Sequence, residues 1–142
     1  MTRMIRRCLP ALLLAFVAVL LAACGASVGG TKKTDAMTEY SAAVRWNEFD
    51  TAWAFVDPEV RAERPLSDLE RERFRQVQVT GYNELSRSMS PDGLTLEQVV
   101  EIRLVNRNTQ VERTLTDHQR WRYDAVAKRW WLVSGLPDFD AR

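Results

Sequence analysis

The spacing of apolar residues changes twice along the chain and divides it into three parts. From Leu9 to Leu21 they run almost unbroken, interrupted at Pro10. Further on, Ala42, Trp46, Phe49, Trp53, Val56 and Val60 recur in steps of four and three, which marks one face of a helix. Met37, Tyr40 and Val44 form a second, offset stripe. The region is therefore one long helix carrying both stripes, or two helices broken near Asn47-Glu48. Asp57-Pro58-Glu59 stops one helix and restarts another, with Asp as cap and Pro in the first turn. Arg64-Pro65 interrupts again, and Ser67-Asp68-Leu69-Glu70 fits a capping box that opens a short charged helix ending near Arg75.

From Val77 the period becomes two. A β-prone stretch runs from Val77 toward Leu85, and Ser90-Pro91-Asp92-Gly93 is turn chemistry. In Leu96–Val105, Val100, Ile102 and Leu104 alternate with Glu101 and Arg103. In Val111–Tyr123, Val111, Leu115, Trp121 and Tyr123 share one parity. Asn106–Thr109 and Asp124–Lys128 are the intervening turns, and Trp130 to Val133 forms a last strand before Gly135 and Pro137. Connections this short predict antiparallel hairpins. The third strand would exceed 40 Å at roughly 3.3 Å per residue, a length that usually curls at bulges. The pattern predicts an α+β domain of two or three N-terminal helices and four curved antiparallel strands. The economical way to bury both apolar faces is a sheet wrapped around the first helix as a cone.

Two groups of residues carry a resemblance to a known fold family: Tyr40 with Trp53-Ala54-Phe55-Val56-Asp57-Pro58, and Trp121-Arg122-Tyr123 with Arg129-Trp130-Trp131-Leu132-Val133. In pattern and order, residues 36–139 resemble the nuclear transport factor 2-like superfamily, which includes ketosteroid isomerases and SnoaL-type polyketide cyclases. The resemblance implies a cone-shaped, cystatin-like sheet. It also implies that an enzyme of this kind would place Asp or His and Tyr inside the cone. The candidates are Tyr40, Tyr82, Asp117 and His118. Asp117 shares parity with Leu115 and Trp121 and so points to the apolar side, where its pKa would rise and it could shuttle protons. Alternatively, it sits near a strand end or pairs with Arg113. His118 has the opposite parity and is expected at the surface.

The start of the chain reads as an address. Met1–Arg7 is short and basic, the apolar run is short of the about 20 residues a spanning helix needs, and Ala22, Ala23, Cys24 and Gly25 follow. Leu21-Ala22-Ala23-Cys24 resembles the lipobox of bacterial lipoproteins. That resemblance implies a diacylglyceryl group on Cys24, cleavage just before it, and acylation of the new amine. Gly25, in place of Asp, favours the outer membrane. The expected organisation is a signal peptide over 1–23, a lipidated flexible tether over 24–35 with a Gly- and Lys-containing sequence, and a folded domain over 36–142.

Charge and composition narrow the partners. The 142 residues carry 20 Lys+Arg against 19 Asp+Glu, but residues 1–23 remove three arginines and no acid, leaving 17 against 19. A near-neutral mature chain argues against nucleic acid. Only two Cys are present, and Cys8 leaves with the signal, so no internal disulfide can form. No metal-ligand spacing, Gly-rich phosphate loop or Ser-His-Asp set is visible. No cofactor is expected.

Of the five Trp, Trp46, Trp53, Trp121 and Trp130 are expected in the core. Trp131 must face away from Trp130. It is either a partner or homodimer contact, together with the stripe of Arg120 and Arg122, or a ring covered by Arg side chains. Two functions follow. One is a lipid-anchored envelope lipoprotein whose domain binds an envelope protein or a small apolar ligand without catalysis. The other is a membrane-tethered isomerase- or dehydratase-like enzyme using Asp117 with Tyr40 or Tyr82.

Overall fold

The computed structural model describes residues 30–139. Four helices come first: α1 (Gly30–Arg45), α2 (Phe49–Trp53), α3 (Pro58–Glu63) and α4 (Asp68–Arg75). Four strands follow: β1 (Val77–Met89), β2 (Thr95–Asn106), β3 (Glu112–Asp124) and β4 (Arg129–Leu132). The expected signal segment and Leu21-Ala22-Ala23-Cys24 lie outside the described residues. Residues 30–35, read from the sequence as the end of a tether, belong to α1.

The helix breaks follow local chemistry. α1 ends in a left-handed Asn47 at φ 61°. The amide of Asn47 bonds to the Val44 carbonyl at 3.1 Å and that of Glu48 to the Ala43 carbonyl at 2.8 Å, which is a Schellman closure. The Asn47 side chain then grips the first strand, donating Nδ2–H to the Val77 carbonyl at 2.9 Å and accepting the Val79 amide at 3.1 Å. Asp57 caps α3 by accepting the Glu59 amide, with Pro58 at the first helical position. Ser67 and Glu70 form the reciprocal capping box of α4.

The break at Asn47 decides which stripe is buried. Met37, Tyr40, Ala43 and Val44 face the core, whereas Trp46 is 79% exposed. The expectation of a core Trp46 is therefore overturned. The chain turns one residue after it, so Phe49 and Ala52 of α2 are inward while Trp46 is not.

The sheet is antiparallel in the order β1-β2-β3-β4. Its inner face is built from the alternation of β2, with Leu96, Gln98, Val100, Ile102 and Leu104 all buried. Leu115, Gln119 and Trp121 of β3 and Trp130 and Leu132 of β4 extend that face. Tyr40 lies edge-on to Trp121, with ring centroids 5.2 Å apart. The segment before α3 pairs with β4: Leu132 donates its amide to the Phe55 carbonyl at 2.8 Å, and Asp57 donates to the Leu132 carbonyl at 2.9 Å. A second aromatic group, Phe49, Phe74 and Phe139, pins residue 139 against α2 and α4.

The architecture is α+β, with short helices followed by an open sheet. The cone-shaped, cystatin-like and nuclear transport factor 2-like arrangement is not what the chain adopts. Two bulges interrupt β1, between Val79 and Gly81 and between Glu84 and Ser86. Besides Met89, opposite Leu96, the residues in the second half of β1 paired with the inner face of β2 are Glu84 and Arg87. Both are exposed and joined to each other as an ion pair. That half of β1 offers little apolar surface for a helix to cover, Met89 at its end being 37% exposed, so little drives the sheet to close there.

Candidate functional site

Strand register brings three of the candidate residues together. Asp117 pairs with Val100, Gln119 with Gln98, and Tyr82 with Ile102, all on the inner face. Tyr40 reaches the same region from α1, fully buried. Gln119 is the hub. Its Nε2–H donates to Asp117 Oδ2 at 2.7 Å and to the Tyr82 hydroxyl at 3.1 Å, while its Oε1 accepts from Gln98 Nε2 at 2.6 Å. The Trp121 indole N–H points at the same Oε1 from 3.4 Å. Two polar atoms in this cluster are buried with no hydrogen-bond partner among the described residues: the Tyr40 hydroxyl and Gln98 Oε1.

Burial sets the electrostatics. Asp117 is half-buried, and desolvation pushes its carboxyl above the ordinary carboxylate range, only partly offset by the Gln119 hydrogen bond. Burial raises the Tyr40 phenol well above its usual value, and the nearby Asp117 charge adds to this. Burial raises Tyr82 as well, against the Gln119 hydrogen bond. The cluster therefore favours neutral forms: two phenols that keep their protons and a carboxyl that takes one up more readily than a surface acid.

The remaining candidates lie elsewhere. His118 is exposed, on the opposite face from Asp117. Arg120 pairs with Glu97 at 3.1 Å on that outer face. Arg122 is half-exposed and bonds to Asp57 Oδ2, a carboxylate only 3% exposed. That carboxylate favours the charged form of Arg122 and raises its pKa further. Trp131 is 8% exposed. The Arg129 guanidinium lies over its ring at 3.8 Å, and its indole N–H donates to Asp124 Oδ2 at 3.3 Å. Trp131 is thus covered within the domain, while the Arg120 and Arg122 side chains stay 63% and 47% exposed beside their carboxylate partners.

Gln98 and Gln119, the connecting residues of the cluster, were missed at the level of the chain. Their signal was visible: each is a polar residue on the apolar parity of its strand. Among the described residues no three metal-ligating side chains come together, and no helix is long and apolar enough to cross a membrane. A separate cavity of about 270 Å³ lies between the helices and the C-terminal segment, lined by Trp53, Val60, Phe74 and Leu136 with Arg64 and Glu70. It contains none of the candidate residues.

No family model matches the chain, and no curated protein matches it. Among solved structures it is similar to a SEC-C motif containing protein from Rhodopseudomonas palustris. Identity is 19%, the match covers 72% of this chain and 76% of that one, and the TM-score is 0.56. At that identity the likeness concerns the fold alone. That fold likeness and the open sheet overturn the nuclear transport factor 2-like expectation.

Proposed function

We propose that the protein is a lipid-anchored lipoprotein of the bacterial cell envelope, with a non-catalytic binding domain held near the membrane by acylated Cys24. The observation that carries this reading is the row Leu21-Ala22-Ala23-Cys24 at the end of an apolar run that follows Arg3, Arg6 and Arg7. Two or three acyl chains on one residue make detachment from a bilayer negligible, since each buried methylene adds about 0.8 kcal/mol. The binding partner is an envelope protein or a small apolar ligand. The test is Cys24→Ala. The variant should accumulate as unprocessed precursor and lose labelling by a fatty-acid analogue. Continued cleavage and labelling would rule the reading out.

A second reading, a membrane-tethered isomerase- or dehydratase-like enzyme, draws on one observation. Asp117, with its raised pKa, stands near two phenols, and the Tyr40 hydroxyl has no partner among the described residues. A carboxyl of this kind can take up and release a proton, and a phenol can donate a hydrogen bond to a substrate oxygen.

A further inference from the structure

One end of the sheet presents apolar tips on rigid turns. Val126, between β3 and β4, is 95% exposed, and Leu94, between β1 and β2, is 47% exposed. The two turns are neighbours, since the Tyr123 amide donates to the Leu94 carbonyl at 2.8 Å. Each tip is held by its own acid. Asp124 Oδ1 accepts the amides of Val126 and Ala127, both at 2.9 Å. Asp92 Oδ1 accepts the Leu94 amide at 2.9 Å. The apolar side chains are therefore displayed outward by fixed backbone and take no part in the core.

α1 sets out from the same end. Tyr40 packs on Trp121, which pairs with Leu96 next to the start of β2. Asn47 is bonded to Val77 and Val79, at the opposite end of the sheet. The helix thus runs from the turn-bearing end toward the far end. Lys32, in its first turn, lies about 12 Å of helix before Tyr40. Seven residues lie between Cys24 and Lys32, a reach of at most about 28 Å. Trp46 and Val111 are also exposed, but they lie at the far end.

We infer that the turn-bearing end of the domain docks on the bilayer, with Val126 and Leu94 entering the interfacial region and Lys128 beside them facing the headgroups. The occupant is a lipid surface because the chain that would carry the acyl groups arrives at this end on a short leash. The inference rests on acylation of Cys24.

The test uses the full chain, processed in cells and reconstituted into vesicles of phosphatidylethanolamine and phosphatidylglycerol containing a nitroxide-bearing lipid. With Cys24 acylated and Cys8 removed, Val126→Cys or Val111→Cys supplies the one reactive thiol for a bimane fluorophore. Flotation with the vesicles reports the anchor, and quenching reports the docking. Quenching at position 126 should be at least threefold stronger than at 111, and adding Leu94→Asp should reduce the difference. Equal or reversed quenching on protein that floats overturns the docking and leaves the anchor standing. Protein that does not float overturns the anchor and the docking with it.

Discussion

Replacing Tyr40 with Phe should stabilise the domain, against the usual effect of changing a fully buried residue. The Tyr40 hydroxyl is buried and has no hydrogen-bond partner among the described residues. An unsatisfied buried hydroxyl costs about 1–3 kcal/mol. Phe keeps the ring, and with it the edge-on contacts to Trp121 at 5.2 Å and Phe55 at 6.0 Å. What is lost is one oxygen's volume, on the order of 10 Å³, which at the cavity cost of buried space amounts to about 0.2 kcal/mol. The net expectation is a gain of about 1–2 kcal/mol. For a domain of this size that corresponds to a rise in Tm of about 5–10 °C. Tyr82→Phe is the matched control. It removes a hydroxyl that bonds to Gln119, so it should destabilise by about 1 kcal/mol. Urea unfolding at neutral pH, followed by tryptophan fluorescence, measures both, provided the m-value is unchanged. A loss of 1 kcal/mol or more in Tyr40→Phe would refute the reasoning, because it would mean that the hydroxyl is satisfied in the folded protein.

Two further predictions concern charge. Because burial raises the Asp117 pKa, the native state holds the Asp117 proton to higher pH than the unfolded chain does. The stability tied to that proton is fully present below the unfolded value of about 4 and is lost as pH rises through the native one. Asp117→Asn should therefore match the wild type near pH 3 and become progressively more stable than it as pH rises. Equal stability of the two proteins across that range, by thermal melts, would contradict the desolvation argument. Arg122→Leu should destabilise by about 2 kcal/mol, less than the 3–5 typical of breaking a buried pair, because Arg122 itself is 47% exposed while Asp57 is only 3% exposed. Combining it with Asp57→Asn should recover part of the loss in chemical denaturation, and simple additivity would show that the pair is not coupled.

Much of the local structure could be read along the chain, because short-range chemistry dictates it. The caps at Asp57 and Ser67, the turn at Ser90–Gly93 and the two-residue period of β2 and β3 depend on neighbours a few residues apart. The same parity pointed Asp117 inward, register then set it with Tyr82, and packing of α1 on the sheet brought Tyr40 to them. The proposed address at Cys24 also rests on local sequence. Other features depend on which surfaces meet. Trp46 has the spacing of a core residue, but the left-handed Asn47 turns the chain away before it can be covered. Trp131 has the parity of an outer-face residue, yet Arg129 and Asp124 enclose it. The sheet stays open where the second half of β1 sets charged Glu84 and Arg87 on the face that a closing wall would need, with Met89 the apolar residue paired there. Periodicity records which side of an element is apolar. Whether that side finds a partner is a long-range property, and only packing of distant segments settles it.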